Sequence, residues 1–141
     1  EFLTWADSQG VAVYYVSNRK EVVLEESIRN LRDAGFPQAD PDHCLFRSDT
    51  SSKKPRRDAI RTHSRIVLLA GDNLGDFSTA FDGLASDRKQ AVDRMRAEFG
   101  TRFVVLPNPM YGAWEGALQE DYFKQTDTGK MQIRREALRR D

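Results

Sequence analysis

Apolar and polar positions alternate along this chain in blocks. The sharpest block is the unbroken run Ile66-Val67-Leu68-Leu69-Ala70, which empties into Gly71-Asp72-Asn73-Leu74-Gly75-Asp76-Phe77. Such a run predicts a strand over 66–70 buried on both faces, as in a parallel sheet covered by helices. A second run, Val11-Ala12-Val13-Tyr14-Tyr15-Val16, is rich in β-branched and aromatic residues and predicts a strand over 11–16 that ends in Ser17-Asn18-Arg19. Leu45-Phe46-Arg47 and Phe103-Val104-Val105-Leu106 predict two shorter strands, the latter broken by Pro107 and Pro109. Helical spacing fills the intervals. Leu24, Ile28 and Leu31 share a face before a stop at Gly35; Pro55 suits the first turn of a helix running to about His63; Ser86 is placed to cap a helix whose Val92, Met95 and Phe99 share a face, closed by Gly100. The first ten residues read as the second half of an amphipathic helix ending at Gly10, and the tail is helical over 114–122 and again over 130–140, with Arg134, Arg135, Arg139 and Arg140 on a solvated face. Strand and helix alternate at least three times, which predicts an α/β fold with a three-layer, doubly wound parallel sheet. No repeat of solenoid period is present.

Composition narrows the class of function. The 141 residues amount to about one domain. With 22 Lys and Arg against 22 Asp and Glu the formal net charge is zero, so no global field draws the chain to nucleic acid or membrane. Cys44 stands alone and excludes an internal disulfide. No apolar stretch approaches the ~18 residues of a membrane helix, no signal peptide is present, and the first residue is Glu1 rather than Met. The expectation is a chain that begins inside a domain.

Candidate chemistry lies at the polar ends of the strands, where open α/β sheets bind their ligands. Asp72 and Asp76 are spaced to converge across a turn or one helical step, and a carboxylate pair suits a hard cation such as Mg²⁺ that shares its oxygen ligands with a substrate phosphate. The same two residues equally suit the capping of the next helix. Ser17 suits a helix cap, and Arg19 a structural role. Lys53-Lys54-Pro55-Arg56-Arg57 is a basic cluster whose plain reading is a solvated face and whose alternative is a nucleic-acid or targeting patch.

Taken in order, Val13-Tyr14-Tyr15-Val16-Ser17-Asn18-Arg19, the Asp49-Thr50-Ser51-Ser52-Lys53 segment, Gly71-Asp72-Asn73-Leu74-Gly75-Asp76-Phe77 and Leu106-Pro107-Asn108-Pro109-Met110-Tyr111-Gly112-Ala113-Trp114-Glu115-Gly116 resemble the class C acid phosphatases. That bacterial group of the haloacid dehalogenase (HAD) superfamily includes outer-membrane lipoprotein 5′-nucleotidases. The resemblance covers nearly the whole chain. It implies a HAD-like, Rossmannoid phosphomonoesterase in which Ser17 donates to the phosphoryl group, Asn18 holds the loop or a substrate oxygen, and Arg19 either meets phosphate or is structural. Lys53, chosen over Lys54 by the family's pattern, would neutralise the phosphate; Asp72 would bind Mg²⁺, and Asp76 would complete the site and orient Lys53. Gly75 departs from a second acidic residue often found there. Tyr111 would stack on a nucleobase or other ring, with packing beneath Trp114 as the alternative, so nucleoside monophosphates and aryl phosphates are the implied substrates. The resemblance further implies a cell-envelope, periplasmic, lipoprotein or secreted location, no nucleic-acid partner, and admits a homodimer. His43, His63 and Cys44 stay unassigned.

One piece of that chemistry is missing. The superfamily begins from an Asp-x-Asp-x-Thr segment whose first aspartate attacks phosphorus, and this sequence contains none; Asp7, in a helical context, is no substitute. The expectation is the C-terminal part of one HAD-like domain without its N-terminal core strand, inactive alone, from a parent that forms an aspartyl-phosphate. A relative that has lost its nucleophile and stores or binds phosphate is the alternative.

Overall fold

Parallel neighbours in a sheet cannot be joined by a tight hairpin and need a crossover, usually a helix. This chain makes that arrangement twice. The computed structural model describes residues 1–138, in two units, Glu1–Ser64 and Arg65–Asp141, each organised around one parallel strand pair.

In the first unit α1 (Phe2–Ser8) leads into β1 (Tyr15–Lys20), a 3₁₀ turn at Glu21–Val23, α2 (Leu24–Asp33), β2 (Cys44–Arg47) and α3 (Lys54–Arg61). β1 and β2 pair with Tyr15 opposite Cys44 and Val16 opposite Leu45. Ile28 from α2 is buried against Cys44 and Phe46, with Tyr15, Leu24 and Leu31 packed around them. The periodicity of α2 is thus its core face. Gly35 ends the helix with φ +76°, a left-handed conformation that a Cβ would strain.

The first strand starts four residues later than the apolar run predicts. Residues 11–14 lie outside any ladder, and a side chain has taken two of their backbone groups. Gln38 accepts from the Val13 N–H at 3.0 Å and donates to the Val11 carbonyl at 3.1 Å and to the Asp7 carboxylate at 2.6 Å. It holds a left-handed φ of 52° to do so. The ladder begins where the Tyr15 N–H reaches the His43 carbonyl at 2.8 Å. In consequence Ser17-Asn18-Arg19 lies inside β1 rather than beyond it.

In the second unit β3 (Leu69–Gly71) runs through 3₁₀ turns at Leu74–Asp76 and Thr79–Phe81 to α4 (Ala85–Arg94), a further 3₁₀ turn at Arg96–Glu98, and β4 (Phe103–Val105). β3 pairs with β4 in parallel, Leu69 opposite Phe103 and Gly71 opposite Val105. Beneath them Phe77, Phe81, Ala91 and Phe103 form a buried cluster ringed by Leu69, Leu74, Val92, Met95 and Phe99. Phe77 stacks on Phe103 at 5.0 Å, and Phe99 meets Phe77, Phe81 and Phe103 edge-on. Burying a phenylalanine stabilises by about 1.5–3 kcal/mol, and such ring pairs add about 0.5–1.5 kcal/mol each, so this cluster anchors the strand pair.

The strand expected over 66–70 is shorter and barer than its composition suggests. Its partner turns away before Phe103, through Gly100 at φ +82° and the Arg102 N–H bonded back to Glu98, so residues 66–68 have no ladder partner on that side. Val67 is 49% exposed, and only one face of β3 meets the aromatic cluster. Ser86 does not cap α4: the N-cap is Leu84, without a side-chain bond, and Ser86 lies in the first turn. The tail is less helical than predicted, with α5 only at Ala113–Gly116, a 3₁₀ turn at Tyr122–Lys124, and α6 at Asp127–Ala137 capped by the Thr126 hydroxyl. Arg134 is not merely solvated, since it bonds Glu115 at 2.8 Å and lies over the Tyr122 ring at 5.7 Å. Arg139 and Arg140 lie outside the described residues.

Tyr15 supplies a pH dependence. Burial, then the nearby Cys44 and Asp7, pushes its hydroxyl up to about 12, and that hydroxyl donates to the Pro37 carbonyl. A raised acid favours the neutral form in the fold, so its stabilisation is complete below about pH 10 and is lost as pH rises toward 12. Urea unfolding of the full-length gene product between pH 9 and 12 should show this decline. Tyr15→Phe should be less stable at pH 9 but flatter above pH 10; an unchanged slope would refute the assignment.

Candidate functional site

The polar end of β1 is a bulge. Val16 and Lys20 are four positions apart, while their partners Leu45 and Arg47 are only two apart, so Ser17-Asn18-Arg19 sits where the ladder breaks register. Bulges of this kind re-aim side chains and leave backbone groups without ladder partners. The Ser17 oxygen accepts from the Arg19 N–H at 3.1 Å, which orients the hydroxyl and leaves its proton to donate. Arg19 turns toward α2, reaching the buried Ser27 hydroxyl at 3.5 Å; this favours its structural role. Asn18 is exposed, and its side-chain oxygen accepts from Arg56 at 2.7 Å.

Lys53 is the N-cap residue of α3 and is half-buried, whereas the adjacent Lys54 is more exposed and paired with Asp58 one turn on. The two neighbouring lysines thus differ in exposure. The rest of the basic cluster is also committed. Arg57 is 3% exposed, and the Arg56 guanidinium reaches the Ser17 carbonyl, the Asn18 amide oxygen, and the Thr50 and Ser52 carbonyls at 3.3 and 3.0 Å. Arg56 and Arg57 are therefore engaged within the fold rather than on a freely solvated face. Arg56 was missed by sequence reasoning, yet a signal existed. No acidic residue stands in the first turn of α3, and cations there oppose the helix dipole, so they needed acceptors from elsewhere.

At the carboxyl end of β3, Gly71 allows a close approach. A Cβ there would lie 2.7 Å from the Asp76 Cβ and 2.9 Å from its Cγ. The Asp76 carboxylate thus folds back over the strand end, accepting from the Asn73 N–H at 3.1 Å, while the Asn73 side chain accepts from Gly75 at 3.3 Å. This reciprocal capping box confirms the capping reading of Asp76 but not of Asp72. Asp72 is exposed and takes a 2.8 Å hydrogen bond from the Asn108 amide, whose oxygen in turn accepts from the Met110 N–H at 3.1 Å. One amide therefore ties a strand-end carboxylate to the loop that carries Tyr111. Sequence reading quoted Asn108 within its motif and gave it no role.

Tyr111 is 70% exposed, so it does not pack beneath Trp114. The indole lies instead against Gly112, where a Cβ would stand 2.8 Å from its Cδ1. Among the described residues no three of His, Cys, Asp and Glu gather as a metal cage. The oxygen donors that Asp72 and Asp76 offer are of the chemistry that suits a hard divalent cation rather than metals that want thiolate or imidazole. His43 and His63 flank Tyr14: its hydroxyl meets His63 Nε2 at 3.0 Å, its ring lies 5.0 Å from the His43 ring, and His43 Nδ1 meets Asp40 at 2.8 Å. Cys44 is buried, and burial pushes its thiol up, which disfavours a reactive thiolate.

Residues 1–114 match the family described as HAD superfamily, subfamily IIIB (acid phosphatase). Among solved structures, the class C acid phosphatase from Bacillus anthracis is 46% identical, with a TM-score of 0.90 over 96% of this chain. The class C acid phosphatase of that organism with tungstate bound gives 44% identity and a TM-score of 0.88 over the same share. This chain spans 57% of the length of either.

The Gly71 contact is open to a double-mutant test. Gly71→Ala should destabilise the full-length protein by roughly 1–3 kcal/mol through overpacking. Asp76→Gly removes the obstructing side chain, so the pair should couple by roughly 0.5–3 kcal/mol in urea unfolding. Simple additivity would show that Asp76 does not fold over residue 71.

Proposed function

This chain belongs to the acid phosphatase subfamily, IIIB, of the HAD superfamily, and on that premise we propose that the protein containing it is a Mg²⁺-dependent phosphomonoesterase acting through an aspartyl-phosphate. The observation that carries the reading is Asp72 at the carboxyl end of a parallel strand, exposed yet fixed by Asn108. Likeness to an acid phosphatase crystallised with tungstate, a tetrahedral oxyanion like phosphate, supports it.

A phosphate monoester is dianionic, and its hydrolysis depends mainly on positioning and charge stabilisation. Ser17, its oxygen already engaged by Arg19, donates its proton to a non-bridging phosphate oxygen. Asn18 steadies that loop, and Arg19 acts chiefly by bracing it against α2. Lys53 supplies a compact positive charge that offsets the dianion. Asp72 and Asp76 are the residues that would hold Mg²⁺, which when bound neutralises phosphate charge. Asp72 keeps its carboxylate in the required orientation through Asn108, and Asp76 through the capping box. The attacking aspartate is proposed to come from a segment outside these 141 residues, a reading supported by the chain's partial span of its relative and by the absence of an Asp-x-Asp-x-Thr segment in the sequence. Tyr111, exposed on the loop that Asn108 anchors, offers a ring face to the leaving group, so nucleoside monophosphates and aryl phosphates are the proposed substrates. No helix among the described residues is long and apolar enough to cross a membrane; a cell-envelope location, periplasmic, lipoprotein-anchored or secreted, belongs to the proposal through the family.

Phosphate release by the full-length gene product from a nucleoside monophosphate and an aryl phosphate, abolished by EDTA and restored by Mg²⁺, is the expected result. Binding of inorganic phosphate without turnover would favour a phosphate-binding relative instead. Asp72→Asn should lose Mg²⁺ binding, measured by calorimetry, together with activity; activity lost with Mg²⁺ binding intact would refute its ligand role. Tyr111→Ala should lower kcat/KM for nucleotides by roughly 5- to 150-fold, the equivalent of one base stack, while small alkyl phosphates change little. Equal losses across substrates would sink the stacking role.

A further inference from the structure

We propose that Arg56 is a positioning residue, a single planar fork that sets the Ser17 hydroxyl and Lys53 at a fixed separation. This rests on the phosphomonoesterase reading above. The Arg56 side chain leaves the first turn of α3 and reaches two segments far apart in sequence. On one side it donates to the Ser17 carbonyl and to the Asn18 side-chain oxygen, within the bulge where β1 has lost register with β2. A carbonyl in a broken ladder needs another donor, and Arg56 supplies it. On the other side the same guanidinium gathers the carbonyls of Thr50 and Ser52, and Ser52 immediately precedes Lys53. That loop is wound tightly by its own side chains. Asp49 accepts from the Thr50 N–H at 2.6 Å, Thr50 from the Ser52 N–H at 3.2 Å, and Ser52 from the Lys54 N–H at 3.3 Å. Movement of the loop therefore carries Lys53 with it, and the fork ties that movement to Ser17.

The chemistry of the acceptors adds a second consequence. All four are neutral oxygens, so these bonds hold the guanidinium without cancelling its charge. Arg47 lies close enough to repel it, and Asp49 is the carboxylate that offsets it. The surroundings of Ser17 thus keep a positive bias for a phosphate dianion. Lysine at position 56 would keep the charge and lose the planar fork, since its ammonium is a compact point donor. Glutamine would lose the charge.

The test compares wild type, Arg56→Lys and Arg56→Gln in the full-length protein. It measures kcat and KM on an aryl phosphate, inhibition by inorganic phosphate, thermal unfolding, and hydrogen exchange in segments 17–19 and 50–53. Expected for Arg56→Lys is a folded protein whose kcat falls roughly 10- to 100-fold, the scale of an ångström-level misplacement, with KM and phosphate inhibition nearly unchanged and protection lost from both segments together. Arg56→Gln should in addition weaken phosphate inhibition. Arg56→Lys with kcat within about twofold of wild type overturns the proposal, as does a loss that only tracks the unfolded fraction or a loss of protection confined to one segment. Failure of the phosphatase reading shows separately, in wild type that releases no phosphate; the joint loss of protection then decides whether the fork couples the two segments.

Discussion

Parallel pairing is the constraint on which the rest depends. Because a strand and its parallel neighbour point the same way, a crossover through a helix brings their carboxyl ends to one end of the ladder. In the first unit that end receives the Ser17-Asn18-Arg19 bulge from β1 and the loop leading from β2 to Lys53. In the second it receives Asp72 through Asp76 from β3 and the Asn108-to-Gly112 loop from β4. Each ladder thus gathers two polar loops without any long-range electrostatic guidance. The aromatic cluster of Phe77, Phe81, Phe99 and Phe103, and the smaller core around Ile28, Cys44 and Phe46, hold the strands so that the loops stay gathered.

Hydrogen bonds to neutral groups hold key side chains on these loops. Asn108 holds Asp72, and carbonyl oxygens hold Arg56. The choice has a physical logic. A carboxylate held by an amide, or a guanidinium held by carbonyls, keeps its full charge for a ligand, whereas a salt bridge would spend it on a side-chain partner. The exposed pairs elsewhere, such as Lys89 with Asp93 or Arg102 with Glu98, are of the kind worth about 0–1 kcal/mol. Those exposed pairs therefore add little to the order of either unit.

Small residues matter where those loops close. Gly71 admits the Asp76 carboxylate and Gly112 admits the Trp114 ring, each at a distance that any Cβ would obstruct. The two glycines lie at the carboxyl end of β3 and in the loop after β4, so the backbone itself forms part of the wall against which the functional side chains rest. A strand end with a side chain at residue 71 would push Asp76 away from the position its capping box requires.

Much is legible in the order of the amino acids: the alternation of strand and helix, the parallel α/β class, the helical face of Leu24, Ile28 and Leu31, the stop at Gly35, and the family to which the motifs belong. These are local or periodic properties, set by side-chain spacing and by the few residues that tolerate unusual backbone angles. Other features were decided only in three dimensions. Residues 11–14 looked like strand, but Gln38, more than twenty residues away, took their hydrogen bonds. Residues 66–70 looked buried on both faces, but the turn before Phe103 left part of the run without a ladder partner. Arg56 reads as one cation among four, and its acceptors on Ser17 and Asn18 lie nearly forty residues back. A hydrogen bond between distant segments leaves no period and no spacing in the chain, because its partners are chosen by the fold that brings them together.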